Sequence, residues 1–319
     1  MYLRPIFSCL RALQAIGITK QHKKMRKKGI SVLFLGIGAF WLFFAGIIRH
    51  DVSKDRYIEL ANQKQFDCVG RIFVDKEPQG SCVLVNDRYV LTAAHCLVES
   101  IGDRDTVIEY NGQTISTYVE GKNIPVEAKD VFVSILDKKI GAKQLIIHPD
   151  YLNKKGFDIA LIELNEPVKD VLFPKINSKY DELNSEVVGV GYGVFCISDN
   201  PGKETLGLKI AGQNVIDSLS GAEYNGHKTR MLFDFDHPTD NTLNRMGSSI
   251  PQPLEYQASG GDSGGGLFRE RNGVLELIGI CAGGGLDLNY FIRTKTYYGQ
   301  ISEFTRTSVY FDWIEENLE

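Results

Sequence analysis

Short apolar runs alternate with turn residues over most of this chain, and that pattern narrows its possible folds more than any other feature. From Val69 onward the runs are rich in β-branched and aromatic residues, and pairs such as Asn86-Asp87 and Asn111-Gly112 separate them. Many short strands with few helical stretches predict an all-β barrel or sandwich. One helix is expected over residues 309–318, where apolar residues recur at helical spacing. Residues 218–253 are rich in Gly, Asn, Asp and Pro and predict long surface loops.

Length and composition exclude few other classes. The 319 residues fit two compact halves or one large domain. A hydrophobic content of 43% and a charged content of 24% are typical of globular proteins rather than disordered ones. The formal net charge of −4 indicates no particular partner, and no basic–aromatic surface suggests nucleic acid. Asp234, Asp236 and Asp240 lie close together in the sequence, but a solvated loop explains them better than a calcium site.

Near the amino terminus a basic segment precedes an uncharged apolar run. The run covers residues 29–48, GISVLFLGIGAFWLFFAGII, and a helix needs roughly 20 residues to cross a bilayer. Basic residues before it and Asp51 after it predict that the amino end stays inside and the body of the protein lies outside. Both a cleaved signal peptide and a retained membrane anchor fit this run, and Phe43 and Phe44 favour the anchor because they spoil a small-residue cleavage pattern.

The sequence therefore predicts four segments. They are a basic cytoplasmic leader at 1–28 with Met25 as an alternative start, a signal or anchor at 29–48, a linker at 49–66 that includes a short helix or is extended, and a folded domain at 67–319. The domain is expected to be secreted or periplasmic, and tethered to the membrane if residues 29–48 remain uncleaved.

Three motifs contain the residue types of nucleophilic catalysis. LTAAHC contains His95, FDIALIEL contains Asp158, and GGDSGGG contains Ser263. Taken alone, a histidine after two alanines or an aspartate before an apolar strand is more often structural. The glycines around one serine are more specific, because they fit neither a helix nor a strand and permit positive φ.

Together these residue types can carry out nucleophilic catalysis. A serine hydroxyl needs a base to take its proton during attack, and a histidine that titrates near neutrality can accept that proton and return it. A buried carboxylate fixes the imidazole tautomer. Backbone N–H groups in a tight turn, here those of Gly261 and Ser263, can bind the oxyanion that develops.

In their order, these motifs resemble those of the chymotrypsin/trypsin-like serine endopeptidases. The order His, Asp, Ser differs from that of α/β-hydrolases and of subtilisins. The similarity extends from about Val69 to Leu318 and includes NDRYVLTAAHC, HPDY, VGVGYG and FTRTSVYFDWIEENL. It implies an all-β fold of two antiparallel six-stranded β-barrels with a C-terminal helix and a site in the cleft between the barrels. It also suggests an exported member of bacterial type.

The resemblance assigns roles to single residues. It implies His95 as general base and acid, Asp158 as its orienting carboxylate, Ser263 as nucleophile, and the N–H groups of Gly261 and Ser263 as oxyanion hole. Asp262 matches the position that pairs with a freed amino-terminal ammonium.

No Arg-Ile-Val-Gly-Gly activation site precedes the first barrel. Ile47-Ile48, or Tyr57-Ile58 after Arg56, could supply the new amino terminus instead.

The specificity pocket departs from the trypsin pattern. Gln257 stands where the family has the pocket base, followed by the small Ala258, and an amide cannot neutralise a buried cation. Ala282, Gly283 and Gly284 match the strand that pairs with substrate backbone, and Ala282 replaces a serine that usually supports the buried aspartate. The sequence thus predicts a neutral, polar or modestly bulky preferred residue.

The cysteines allow one bridge that the resemblance implies. Cys82 and Cys96 match the pair that usually links the histidine loop to the preceding strand, although Cys82 is displaced by two residues. Five cysteines follow the apolar run, so at least one of them must be free or paired between chains. Cys68, Cys196 and Cys281 stay unassigned.

The predicted function is therefore a serine endopeptidase that cleaves a protein or peptide through an acyl-enzyme, without metal or cofactor. The alternative is a non-catalytic binding or regulatory protein on the same scaffold. The sequence does not predict an oligomeric state.

Overall fold

The computed structural model describes residues 45–318 apart from 103, 111–112, 120, 154–155, 198–199, 206 and 286. In this part of the chain, strands predominate and helices are few and short. The strands are β1 (Ala45–Ile48), β2 (Val69–Val74), β3 (Glu77–Leu84), β4 (Tyr89–Thr92), β5 (Val98–Ile101), β6 (Arg104–Tyr110), β7 (Gln113–Val119), β8 (Lys122–Pro125), β9 (Val131–Ile135), β10 (Lys138–Ile147), β11 (Ala160–Leu164), β12 (Lys175–Ile176), β13 (Glu186–Gly191), β14 (Val194–Ile197), β15 (Asn200–Thr205), β16 (Ile210–Val215), β17 (Ser218–Tyr224), β18 (His227–Asp234), β19 (Tyr256–Gln257), β20 (Gly266–Arg271), β21 (Val274–Gly285) and β22 (Ile301–Arg306). The α-helices are α1 (Lys54–Ala61), α2 (Pro149–Leu152), α3 (Leu288–Thr294) and α4 (Phe311–Glu316).

The first half of the protein is a closed antiparallel barrel. Its six strands follow the order β10-β11-β4-β3-β2-β9, and alternate residues such as Ile72, Leu91 and Val133 are fully buried inside it. Burying one such side chain stabilises the fold by about 1.5–3 kcal/mol. Gly70 is required where strands approach closely, because a Cβ there would lie 2.7 Å from the carbonyl oxygen of Ser134. This barrel confirms one of the two that the resemblance implied.

The second half is a larger sheet whose ends do not meet in the described residues. Its order is β16-β13-β20-β21-β22-β18-β17, with β12 added in parallel to β21. The outer edge of β16 instead meets the segment before β19 through a bridge between Gln213 and Glu255. Since that segment belongs to a different sheet, a second closed barrel is not seen here.

A four-stranded sheet contains the end of the apolar run. In the order β15-β14-β1-β19, β1 runs parallel to β14 and antiparallel to β19. Ile48 is fully buried in the core of the second half. Residues 45–48 thus have their backbone paired within the globular body rather than in a membrane helix, which differs from the predicted 29–48 segment. Residues 29–44 lie outside the described part.

No helix in the described residues is long and apolar enough to cross a bilayer. The segment at 49–66, expected as a short helix or linker, contains α1 and packs on the body. Tyr57 of α1 is fully buried, and its hydroxyl donates a hydrogen bond of 2.9 Å to the Glu255 carbonyl.

Two other expectations from the sequence hold only in part. The helix expected at 309–318 is present as a 3-10 turn at Ser308–Tyr310 followed by α4. The predicted loop region at 218–253 begins instead with the hairpin of β17 and β18. Its turn is Asn225-Gly226, both at positive φ (51° and 79°), a pair that favours tight hairpins.

A group of carboxylates lies under the loop that follows β18. Asp234 and Asp236 are buried, at 1% and 6% exposure, so the expectation of a solvated loop is wrong for these two residues. Asp236, Glu255 and Asp217 help to line a cavity of about 210 Å³. Burial and mutual repulsion raise the pKa of Asp217, Asp234 and Asp236 to about 6 and that of Glu255 well above its ordinary value.

These buried carboxyls should therefore make the protein more stable in weak acid than at neutral pH. A carboxyl whose folded pKa is raised holds its proton longer in the folded state, so stability falls as pH rises through the range from about 4 to 6. We expect Asp236→Asn to raise the denaturation midpoint at pH 7.5 more than at pH 5.5, as measured by urea unfolding at both values.

Asp181→Asn is the matched control with the opposite sign. Although partial burial opposes it, the pKa of Asp181 is lowered by Arg271 and Arg269. This variant should lose stability by the same amount at pH 5.5 and pH 7.5, because Asp181 is ionised in both the folded and the unfolded state at either value. An Asp236→Asn gain that is equal at both pH values would contradict the assignment.

Candidate active site

His95 and Asp158 meet because their strands are neighbours. His95 lies on the 3-10 turn Ala94–Leu97, directly after β4, and Asp158 comes just before β11. In the antiparallel pair of β4 and β11, Thr92 faces Ala160. The end of β4 and the start of β11 are therefore at the same edge of the barrel, and the sequence separation of 63 residues is closed by one strand pair.

The two side chains form a tight, largely buried pair. Asp158 accepts hydrogen bonds from the His95 backbone N–H at 2.9 Å through Oδ1 and contacts His95 Nδ1 at 2.7 Å through Oδ2. The His95 side chain is 20% exposed and the Asp158 side chain is 6% exposed. Nδ1 facing a carboxylate carries the proton, which leaves Nε2 as the nitrogen that can accept another.

Electrostatics within the pair favours the charged forms. Burial opposes the imidazolium, but the Asp158 carboxylate outweighs it and raises the pKa of His95 well above its ordinary value. Burial would likewise raise the pKa of Asp158, yet attraction to His95 and their hydrogen bonds lower it to about 2. Asp158 is thus ionised at all working pH values, and His95 holds the proton that titrates.

Ser263 lies on a constrained turn that leads into β20. Asp262 N–H donates to Ser259 O at 3.0 Å, and Gly265 N–H donates to Asp262 O at 2.6 Å. Gly261 and Gly264 have φ of 97° and 83°, a region that favours glycine. In the described part of the chain, neither the Gly261 N–H nor the Ser263 N–H donates a hydrogen bond to another residue.

The Asp262 side chain points into the body and fixes this turn from below. It accepts hydrogen bonds from Gly193 N–H at 2.8 Å, Ser259 N–H at 3.0 Å and Ser259 Oγ–H at 3.2 Å. Gly191 and Gly193 must be glycines, because a Cβ would come within 2.3 Å and 2.4 Å of the carboxylate oxygens. Burial raises the pKa of Asp262 to about 6, and none of these described partners is a cation.

Ser81 joins the barrel to the nucleophile turn. Its Oγ–H donates to Gly261 O at 2.8 Å and its N–H donates to Ser263 O at 2.7 Å, while Tyr192 N–H donates to Ser81 Oγ at 2.9 Å. Gly80 leaves room for this contact, since a Cβ there would lie 2.6 Å from Ser263 O. Two of these hydrogen bonds, from the Ser81 hydroxyl and the Ser81 N–H, therefore hold β3 against the turn.

The predicted bridge between Cys82 and Cys96 is not formed. Both are buried free thiols, as are Cys68 and Cys281. The Cys96 thiol turns toward Ser263 O, at 3.6 Å, and burial raises the pKa of the Cys82 thiol. The two-residue displacement of Cys82 thus keeps it in the barrel core without a sulfur partner. The Cys196 side chain is outside the described set.

The residues predicted to line the specificity pocket lie near one another. Gln257 ends β19 and is 4% exposed, and its Oε1 is buried with no hydrogen-bond partner in the described residues. Gly284 packs against Ala258, because a Cβ at Gly284 would lie 2.5 Å from the Ala258 carbonyl oxygen. Ala282 sits at an irregularity of β21 where the pairing with β22 shifts between Cys281 and Gly283.

Sequence reasoning missed several supporting residues. Ser81 precedes Cys82 in an ordinary strand pattern, and Ser259 is one of several small residues before the glycine run. Thr305 Oγ1–H donates to the Asp158 carbonyl at 2.9 Å, although 147 residues separate the two in sequence. No local signal distinguishes such residues, because their partners are brought together only by sheet order.

Comparison with known proteins agrees with this arrangement. The family model for Trypsin matches residues 58–314. Serine protease SSP1 of Scolopendra subspinipes is 26% identical over 248 residues, covering 75% of this chain and 74% of that protein. Clotting factor G beta subunit of Tachypleus tridentatus is 25% identical over 312 residues, covering 94% of this chain and 84% of that protein. Phenoloxidase-activating factor 1 of Holotrichia diomphalia is 26% identical over 278 residues, covering 82% of this chain and 64% of that protein.

These relatives are invertebrate proteins, so they give no support to the expectation of a bacterial type. The matched family segment spans both halves of the fold and includes every residue of the site described above. This chain belongs to the trypsin family of serine proteases.

Proposed function

We propose that this protein is an active serine endopeptidase that uses His95, Asp158 and Ser263. The observation that supports this most directly is the buried contact of 2.7 Å between His95 Nδ1 and Asp158, together with the glycine-rich turn that carries Ser263. Neither feature is needed for a barrel to fold. A polar pair buried at a strand edge and a turn with two positive-φ glycines together fit nucleophilic acyl transfer.

In the proposed reaction, Ser263 Oγ attacks the carbonyl carbon of the scissile peptide bond while its proton passes to His95 Nε2. The carbonyl oxygen becomes an oxyanion and binds the N–H groups of Gly261 and Ser263. Collapse of this intermediate breaks the C–N bond, and His95 gives its proton to the leaving amine. Water then attacks the acyl-enzyme by the same path, His95 takes the water proton and returns it to Ser263 Oγ, and the acid product leaves.

Asp158 serves this cycle by staying ionised. It holds His95 in the tautomer that carries its proton on Nδ1 and stabilises the imidazolium that forms twice per turnover. Asp262 serves it indirectly, since its hydrogen bonds to Gly193 and Ser259 hold the turn that orients the oxyanion donors.

The proposed site of action is outside the cytoplasm. The basic leader and apolar run support export, and one relative is a clotting factor subunit by name. The mature amino terminus, determined from the natural protein, decides which part of residues 1–44 the working enzyme retains.

The first test is covalent labelling. We expect a fluorophosphonate probe to label the wild-type protein and not Ser263→Ala, because only an activated serine reacts with it. Peptide hydrolysis by the wild type should decrease as the probe labels it. The matched control is Ser178→Ala, which changes an exposed serine outside the site and should still be labelled. A folded, correctly processed wild type that is not labelled favours the alternative, a non-catalytic binding protein.

The second test concerns the residue preferred at the cleavage site. The unpaired Gln257 Oε1 is a buried acceptor, and a buried acceptor without a donor costs about 1–3 kcal/mol. We expect a peptide library to favour a neutral side chain with an N–H or O–H donor, and Gln257→Asp to shift preference toward Lys and Arg. A wild-type profile dominated by Arg or Lys would refute the assignment.

The third test is the pH dependence of activity. His95 must be neutral to accept a proton, and its raised pKa means that kcat/KM rises with pH through a midpoint above the ordinary histidine value. Asp158→Asn should lower kcat by about 10⁴-fold and move that midpoint to lower pH, because the stabilising carboxylate is gone. The control is Asp181→Asn, whose ion-pair partners are Arg269 and Arg271, and it should leave the midpoint unchanged. If the midpoint of Asp158→Asn equals that of the wild type, the proposed role of Asp158 is contradicted.

A further inference from the structure

Arg230 is a buried arginine behind the Asp158 segment. It lies on β18, where it pairs directly with Thr305 of β22, and its side chain is only 5% exposed. Arginine is almost never so buried unless its charge is matched and its donors are used. Sequence analysis assigns it no role.

The guanidinium makes contacts on three sides. Nη2 donates to the Gly156 carbonyl at 2.8 Å, Nη1 donates to Thr305 Oγ1, and Nε lies 3.0 Å from Glu303 Oε1. Thr305 Oγ1–H in turn donates to the Asp158 carbonyl at 2.9 Å. Arg230 therefore holds the backbone on both sides of Phe157, once directly and once through Thr305.

This support compensates for a missing donor. In the described residues, the Asp158 carboxylate accepts hydrogen bonds only from His95, and the methyl group of Ala282 cannot donate one. A buried carboxylate with few donors is costly unless a positive charge lies nearby. After the dominant effects of burial and His95, Arg230 also lowers the pKa of Asp158.

The groups around Arg230 do not cancel its positive charge. Glu303, its ion-pair partner, is 47% exposed and is thus screened by solvent. The Tyr310 phenol interacts with Arg230, but burial raises its pKa so that it stays neutral. Asp158 is the buried anion on the other side of Thr305.

We propose that Arg230 is a positioning residue for Asp158: it fixes the 156–158 backbone and supplies the positive charge that keeps the carboxylate aligned with His95. This inference rests on the proposed proteolytic function of the same site. It predicts a loss in the chemical step rather than in substrate binding, since the hydrogen bonds and ion pair of Arg230 in the described residues reach Thr305, Gly156 and Glu303.

The experiment compares Arg230→Met, Arg230→Lys and the control Arg269→Met in the full protein. Arg269 is also 4% exposed and paired with Glu276 and Asp181, but none of its contacts belongs to the site. We expect Arg230→Met to lower kcat per titrated active site at least tenfold with KM within twofold, and Arg230→Lys to restore part of that loss. Arg269→Met should lower the melting temperature but leave kcat unchanged.

A second measurement does not need activity. The proton on His95 Nδ1 gives a far-downfield NMR signal when it is hydrogen-bonded to the carboxylate, and this signal should move upfield or broaden in Arg230→Met only. If Arg230→Met does not fold, the neutral variant Arg230→Gln decides by the same two readouts. A folded Arg230→Met or Arg230→Gln that keeps the wild-type kcat and signal overturns the proposal. A wild type that shows the signal but does not hydrolyse peptides refutes the proposed function, and the signal alone then decides the role of Arg230.

Discussion

The contact between β3 and the nucleophile turn is the interaction on which the rest of the site depends. His95 and Asp158 belong to the first barrel, whereas Ser263 belongs to the second half. Ser81 joins the two through its backbone and its hydroxyl, with hydrogen bonds of 2.7 Å and 2.8 Å to Ser263 and Gly261. Gly80 permits this approach because it has no Cβ. The largest core cluster also continues from the barrel into the second half, where it includes Phe268 and Ile280, so hydrogen bonds and apolar packing together join the two halves beside the Ser263 turn.

Buried carboxylates form a second theme of this structure, and their partners explain how differently they behave. Asp158 faces His95 and Arg230 and has a lowered pKa, of about 2. Asp262 is equally enclosed, but its described donors are neutral amides and a hydroxyl, and its pKa is raised to about 6. The group around Asp234 and Asp236 has a like charge nearby and behaves like Asp262. Burial is common to all of them, so the sign of the shift is set by whether a cation is present.

The position of β1 links this electrostatic picture to the amino-terminal chain. Ala45 pairs with Val194, the residue directly after Gly193, whose N–H donates to Asp262. Ala45 therefore lies close to the Asp262 region of the sheet. Residues 45–48, which look from sequence like the end of a membrane segment, form an internal strand near the turn that carries Ser263.

The sequence alone determined the candidate catalytic residues and the strand-rich character of the fold, because both are expressed locally. A glycine-rich run around Ser263, a histidine after β4 and the alternating apolar runs can be read without knowing what lies opposite them. Only the tertiary structure decided that the second sheet stays open in the described residues, that Cys82 and Cys96 remain thiols, and that Ser81, Thr305 and Arg230 support the site. These depend on strand order and on partners far away in the chain, and a hydrogen bond between residues 147 positions apart leaves no periodic or compositional trace in the sequence.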